Sequence, residues 1–131
     1  MNFILAIFLF SVFSLTVKSK KQTITVKGVL LCNRKPQEGI ELILKEKDTL
    51  SPDDTLSTTK SAKNGSFFIT GSEDEVLSIE PYLNIIHTCG VSKKGCKRTT
   101  TYTFTKKEVN TIVNLDIINL NNRGQIDEEK C

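Results

Sequence analysis

From Gln22 to Leu120 the chain runs as short segments in which apolar and polar residues alternate with period two. No segment keeps a helical period for three turns, so this chain has strands to build with and each must bury one face. Gln22 to Cys32 sets Ile24, Val26, Leu30 and Cys32 on one face, with Thr23, Thr25 and Lys27 on the other. Asn33-Arg34-Lys35-Pro36 ends it. Ile40, Leu42 and Leu44 carry the apolar phase of a second strand that runs to Glu46. The polar stretch Lys47 to Asp54 leads to an edge strand over 55–61, mostly Ser and Thr. Lys63-Asn64-Gly65-Ser66 is the clearest hairpin signal, because Asn-Gly accepts the positive φ that a type I′ turn needs at both central positions.

Beyond that turn Phe67 and Ile69 point one way, Phe68 and Thr70 the other. Gly71 to Pro81 reads as a connector with an acidic run, Glu73-Asp74-Glu75, and Pro81 stops any helix there. Tyr82 to Cys89 is a strand with Leu83, Ile85, His87 and Cys89 in phase. Lys97 to Phe104 follows with Thr100, Tyr102 and Phe104 in phase. In Thr111 to Leu120, Val113, Leu115 and Ile117 alternate before Ile118 and Leu120 take the opposite phase, a slip that predicts a bulge or bend. The tail from Asn121 to Lys130 is polar and ends on Cys131. About seven strands with turn signals between them predict an all-β fold, an antiparallel β-sandwich. Its expected core is Ile24, Val26, Leu30, Ile40, Leu42, Leu44, Phe67, Ile69, Leu83, Ile85, Tyr102, Phe104, Val113 and Leu115.

Ahead of the strands, an apolar run from Phe3 to Phe10 continues through Val12, Phe13, Leu15 and Val17 and breaks at Lys18-Ser19-Lys20-Lys21. A run of about fifteen residues is short of the roughly 20 that span a bilayer and fits a signal peptide. Val17 and Ser19 sit three and one residues before a cut that leaves Lys20 first, although Asn2 gives the n-region no side-chain charge. Residues 1–19 are therefore expected to be a signal peptide, and 20–131 one domain, secreted and extracellular. The formal charge of +3 is mild and marks no nucleic-acid footprint. The four cysteines, Cys32, Cys89, Cys96 and Cys131, read as two disulfides in an oxidising compartment, with three pairings open.

The segments Thr25 to Cys32, Lys47 to Asp54, Asn64-Gly65-Ser66-Phe67, Gly71 to Val76, Pro81 to Cys89, Cys96-Lys97-Arg98, Ile118-Asn119-Leu120 and the terminal Cys131 resemble, in order and spacing, the nematode transthyretin-like family. The resemblance covers the chain from Lys20 onward and implies a small secreted β-sandwich of transthyretin-related topology. Most members have no assigned activity, and where roles are proposed the resemblance implies extracellular binding or bridging. Within the wider fold, a purine-pathway hydroxyisourate hydrolase needs two strand histidines, an Arg and a C-terminal Tyr-Arg-Gly-Ser. This chain has one histidine and ends Asp127-Glu128-Glu129-Lys130-Cys131, so two converging imidazoles cannot be assembled. The wider fold also contains a hormone carrier built on a tetramer channel, for which no pattern appears here.

His87, Cys89 and Cys96 make a zinc site conceivable, but a fourth ligand is missing and the in-phase apolar neighbours of His87 point to the core, so no metal is expected. Asp48, Asp53 and Asp54, or Glu73-Asp74-Glu75, offer oxygens to calcium, yet neither run has EF-hand spacing and both read as solvated loop charge. Asn64-Gly65-Ser66 is an N-glycosylation acceptor, and an exposed hairpin tip suits a glycan. Lys93, Lys94, Lys97 and Arg98 form a basic contact candidate for an acidic partner or anionic lipid. Phe68 is out of phase with the core, and makes a patch only if Ile43 or Ile86 lies near it.

Cys89 closes one strand and Cys96 opens the next, with Gly90 and Gly95 flanking the loop, so a hairpin is expected to join them and leave Cys32 to Cys131. The functional expectation is a non-enzymatic extracellular binding protein that needs no cofactor and recognises a protein or cell-surface partner. The alternatives are a carrier of a small hydrophobic or lipid ligand, marked by an apolar cavity of several hundred cubic ångströms, and, further off, the hydrolase.

Overall fold

A computed structural model describes residues 18–124 and 126–131; the expected signal peptide lies, but for its last two residues, outside the described residues. Among the described residues, nine strands form two sheets. They are β1 (Lys20–Cys32), β2 (Lys35–Pro36), β3 (Glu41–Glu46), β4 (Asp54–Lys60), β5 (Ser66–Glu75), β6 (Pro81–His87), β7 (Lys97–Thr103), β8 (Ile112–Asn119) and β9 (Ile126–Lys130), with one 3₁₀ turn at Lys106–Glu108. The first sheet sets β5 and the short β2 along one side of β1 and β8 along the other; the second runs β4-β3-β6-β7-β9. Every pairing is antiparallel except β1 with β8, which run parallel, so the expected β-sandwich holds with one parallel edge.

The expected phases are the buried ones. Ile24, Val26, Leu30, Leu42, Leu44, Phe67, Ile69, Leu83 and Ile85 are buried between the sheets, and Ile40, Tyr102, Phe104, Val113 and Leu115 pack partly buried against them. The slip in β8 is a bulge: between the pairs Lys27–Asn114 and Val29–Ile117, one residue of β1, Gly28, faces two of β8, Leu115 and Asp116, and Asp116 takes φ +55°. Gly28 occupies an inward position because the Phe67 ring fills the space a Cβ would take, 3.0 Å from it.

Three local expectations are corrected. The turn before β5 is not type I′. The Gly65 N–H donates to Ala62 O and Ala62 N–H to Ser66 O, both at 2.8 Å, and only Gly65 of the Asn-Gly pair has positive φ, +84°. That is a type I turn closed by a glycine bulge. The type I′ signature falls at Asn33 (φ +50°) and Arg34 (φ +65°), which reverse β1 into β2. The acidic connector is largely strand, since Glu73, Asp74 and Glu75 pair with Gln22, Lys21 and Lys20. The polar tail contains β9, whose alternation carries no apolar phase to betray it.

β9 also overturns the disulfide pairing. The bonds are Cys32–Cys89, with Cα atoms 5.9 Å apart, and Cys96–Cys131, with Cα atoms 4.0 Å apart. Cys89 and Cys96 lie in register but beyond the last β6–β7 pair, His87 with Arg98, where the ladder has stopped. Cys96 continues the β7–β9 ladder one step past Lys97–Lys130 and so meets Cys131. Cys89, just past β6, instead bridges the sandwich to the end of β1.

Candidate functional site

Strand pairing aligns the outward side chains of the first sheet in rows: Thr70–Thr25–Ile112, Phe68–Lys27–Asn114 and Ser66–Val29–Ile117. Thr, Ser and Asn are what a solvated face carries, so the apolar members stand out. Phe68 is 59% exposed and Ile117 67% exposed, with half-buried Val29 beside Ile117 in its row. They line an open cleft of about 740 Å³ with Lys27, Asn114 and Asp116. Ile43 and Ile86 belong to the other sheet, so the patch around Phe68 is made by β1 and β8 instead. The β8 bulge creates it, because the extra residue at Asp116 turns Ile117 outward and Ile118 into the core.

The basic group divides. Lys93, Lys94 and Lys97 are exposed. Lys97 borders a smaller cleft beside Ile86 and Thr88, and Lys60 lines both this cleft and the Phe68 cleft. Arg98 is corrected: it is 1% exposed and offers nothing to a partner. Its Nε and Nη2 donate to Asp127 at 2.9 and 2.6 Å, Nη1 to Cys89 O and Leu120 O at 2.6 and 2.8 Å, and Nη2 to Asn122 O at 3.3 Å. Five donors find five acceptors, which is the full capacity of a guanidinium. Burial pushes the Asp127 carboxyl up, but hydrogen bonds from Arg98 and Thr100 and the Arg98 charge outweigh it and hold the group below its ordinary range.

His87 is 3% exposed. Its Nδ1 accepts the Cys89 N–H at 3.0 Å, which assigns the proton to Nε2, and Nε2 donates to Thr100 Oγ1 at 2.9 Å. Thr100 in turn donates to Asp127 at 2.9 Å. Burial and the Arg98 charge lower the imidazole to about 4, with Asp127 opposing. The expected core histidine is what stands there, and Cys89 and Cys96, both in disulfides, are not thiolate ligands. Asn64 is exposed at its hairpin tip, where its Oδ1 accepts the Ser66 N–H at 3.0 Å and the Ser66 hydroxyl at 2.6 Å.

One cluster was not legible as such. The two acidic runs weighed separately meet at one end of the sandwich, where β3 ends, β4 begins and β5 ends. Glu46, Asp48, Asp54 and Glu75 each place a carboxylate oxygen within 4.8 Å of the others, and Glu73 adjoins them. Glu46 is 2% exposed. It continues the inward phase of Leu42 and Leu44, and a carboxylate where an apolar residue belongs was the available signal.

A disulfide-stapled, two-sheet β-sandwich with a histidine sealed inside and an apolar island outside defines the class: a compact domain of transthyretin-like architecture. The comparisons agree. Residues 27–104 match the profile described as TTR-52, transthyretin-like family. Transthyretin-like protein 16 of Caenorhabditis elegans is 38% identical over 118 residues, 90% of this chain and 89% of its own length. Transthyretin-like protein 33 of the same organism is 34% identical, covering 84% of this chain and 82% of its own. The chain belongs to the transthyretin-like family. Among solved structures, a 9R-lipoxygenase from Cyanothece PCC8801 shares the fold at TM-score 0.52 and 18% identity, over 76% of this chain and 16% of that one.

Proposed function

We propose that this transthyretin-like domain is a secreted, extracellular, non-catalytic binding protein that recognises a protein or cell-surface partner through the outer face of its first sheet. The observation that carries the reading is the Phe68–Val29–Ile117 island, flanked by Lys27 on a face whose other outward residues are Thr, Ser and Asn apart from the exposed Ile112. Exposed aromatics and aliphatics that cluster, with polar residues around them, mark contact surfaces. Two disulfides suit an oxidising compartment. His87 has both ring nitrogens engaged inside the core, which supports the non-catalytic reading. The 740 Å³ cleft at Phe68 opens on the outside, which favours a partner's surface over an enclosed small ligand.

Capture on intact cell surfaces tests this. The Phe68→Ser, Ile117→Ser double variant is expected to lose about tenfold or more in retention with an unchanged melting temperature, since both side chains already face solvent. Retention unaffected by the double variant would move the contact elsewhere, with Lys93→Gln, Lys94→Gln and Lys97→Gln as the comparison.

A further inference from the structure

We infer that Glu46, Asp48, Asp54 and Glu75 form a calcium site at the end of the sandwich where β3, β4 and β5 converge. Dimension comes first. Calcium takes oxygen ligands at about 2.3–2.6 Å, so two oxygens on opposite sides of the ion lie about 5 Å apart. The four carboxylates bring one oxygen each within 4.8 Å of one another, inside that sphere. Among the described residues, no lysine or arginine lies within ion-pair distance of any of the four.

The second observation is independent of the clustering. Glu46 is 98% buried in the sense that only 2% of its surface is exposed, and its Oε2 has no hydrogen-bond partner. A buried carboxylate oxygen without a partner has given up its water for no donor, an unfavourable arrangement that a bound cation relieves. Glu73 Oε2, beside it, is also buried and unpartnered. Two facing carboxylates can satisfy each other only by sharing a proton, and burial with Glu73 and Glu75 nearby pushes Glu46 up to about 8. The charged groups around it are Glu73 and Glu75 from β5, Asp48 and Asp54 from the β3–β4 connection and β4, and Lys47, Glu80 and Lys106 along the cleft.

Access exists. A cleft of about 400 Å³ opens onto Glu46, Asp48 and Glu75, with room for the waters that complete six to eight ligands. Four to five carboxylates without a lysine or arginine in ion-pair contact favour a divalent cation, and a site spread over three strand ends suits the larger, geometrically tolerant calcium over magnesium.

The full chain, purified, stripped with chelator and titrated with calcium chloride alone by calorimetry at neutral pH, tests the site. One calcium per chain is expected, with a Kd of about 10⁻⁵ to 10⁻³ M and a rise in melting temperature, and magnesium at the same concentration should move it less. Glu46→Gln is expected to weaken calcium binding at least tenfold while melting at or above the metal-free wild type, because an amide can donate to Glu73. Failure to fold cannot mimic that pair of results. Asp54→Asn, at an exposed position, gives the same loss without touching the core. No heat and no melting shift at about 10 mM calcium, ten times the weakest expected Kd, overturns the site, as does an affinity unchanged in both variants.

Discussion

Arg98 decides more of this structure than any other single side chain. Its five hydrogen bonds tie β7 to the loop after β6, to the end of β8 at Leu120, to the turn at Asn122 and to β9 through Asp127. Breaking a buried ion pair from one side leaves an uncompensated charge, so Arg98→Met is expected to destabilise by about 3–5 kcal/mol. Replacing both partners removes the stranded charge, and the Arg98→Met, Asp127→Leu double variant should recover a substantial part of that loss. Urea denaturation of the three proteins reads the difference, and a double variant no more stable than Arg98→Met alone would show that packing, not charge, makes the site. A lone Arg in a run of Lys-Lys-Gly-Cys-Lys gave the sequence no reason to set it apart, because its acceptors are mainly backbone carbonyls and these have no sequence signature.

At the scale of elements, turn chemistry has the sharpest consequences. Gly65 sits at φ +84°, and a Cβ there would lie 2.5 Å from the carbonyl oxygen of Leu30 in β1. Gly95 has φ +95° with open space around it. Gly65→Ala should therefore destabilise by about 1–3 kcal/mol, and Gly95→Ala by less, since only backbone strain applies there. Thermal melts that rank the two the other way would show that the β1 contact relaxes freely. Strands with a buried face were legible because alternation is what burial requires: Leu42 and Leu44, Leu83 and Ile85, and the inward residues of β1 all stand where their phase put them. The last turns of β5 and all of β9 were not, since ladder hydrogen bonds hold edge strands regardless of side chain. The disulfide error descends from β9. With the tail read as unpaired, nothing placed Cys131 beside Cys96. Of the site, Phe68 was legible by phase, but its neighbours Val29 and Ile117 required knowledge that β8 pairs with β1 and is bulged.

At the scale of the whole molecule, two buried titratable groups at opposite ends of the sandwich set opposing pH dependences. His87 is lowered to about 4 by burial and by Arg98, with Asp127 opposing, so the unfolded chain takes up a proton below about 6.5 that the folded chain refuses. Its contribution is present above 6.5 and is lost as pH falls through 4. Lys60, Lys97 and Glu41 around the adjoining cleft are exposed and screened. Glu46 is raised to about 8 by burial and by Glu73, Glu75 and Asp48, so the folded chain holds a proton that the unfolded chain releases above 4.5. Its contribution is present below 4.5 and is lost as pH rises through 8. Between 4.5 and 6.5 the folded and unfolded chains each hold one of these two protons, the slopes cancel, and the metal-free stability is expected to be flat. Above 6.5 only the Glu46 slope remains, and stability should decline up to about pH 8. Melts of chelator-treated protein at pH 5.5, 7 and 8.5 test the shape: Glu46→Gln is expected to abolish the alkaline decline and, with nothing left to offset the His87 slope, to lose stability from pH 7 to 5.5. A chelator-treated wild type that grows more stable from pH 7 to 8.5 would contradict the buried, protonated Glu46 on which this rests.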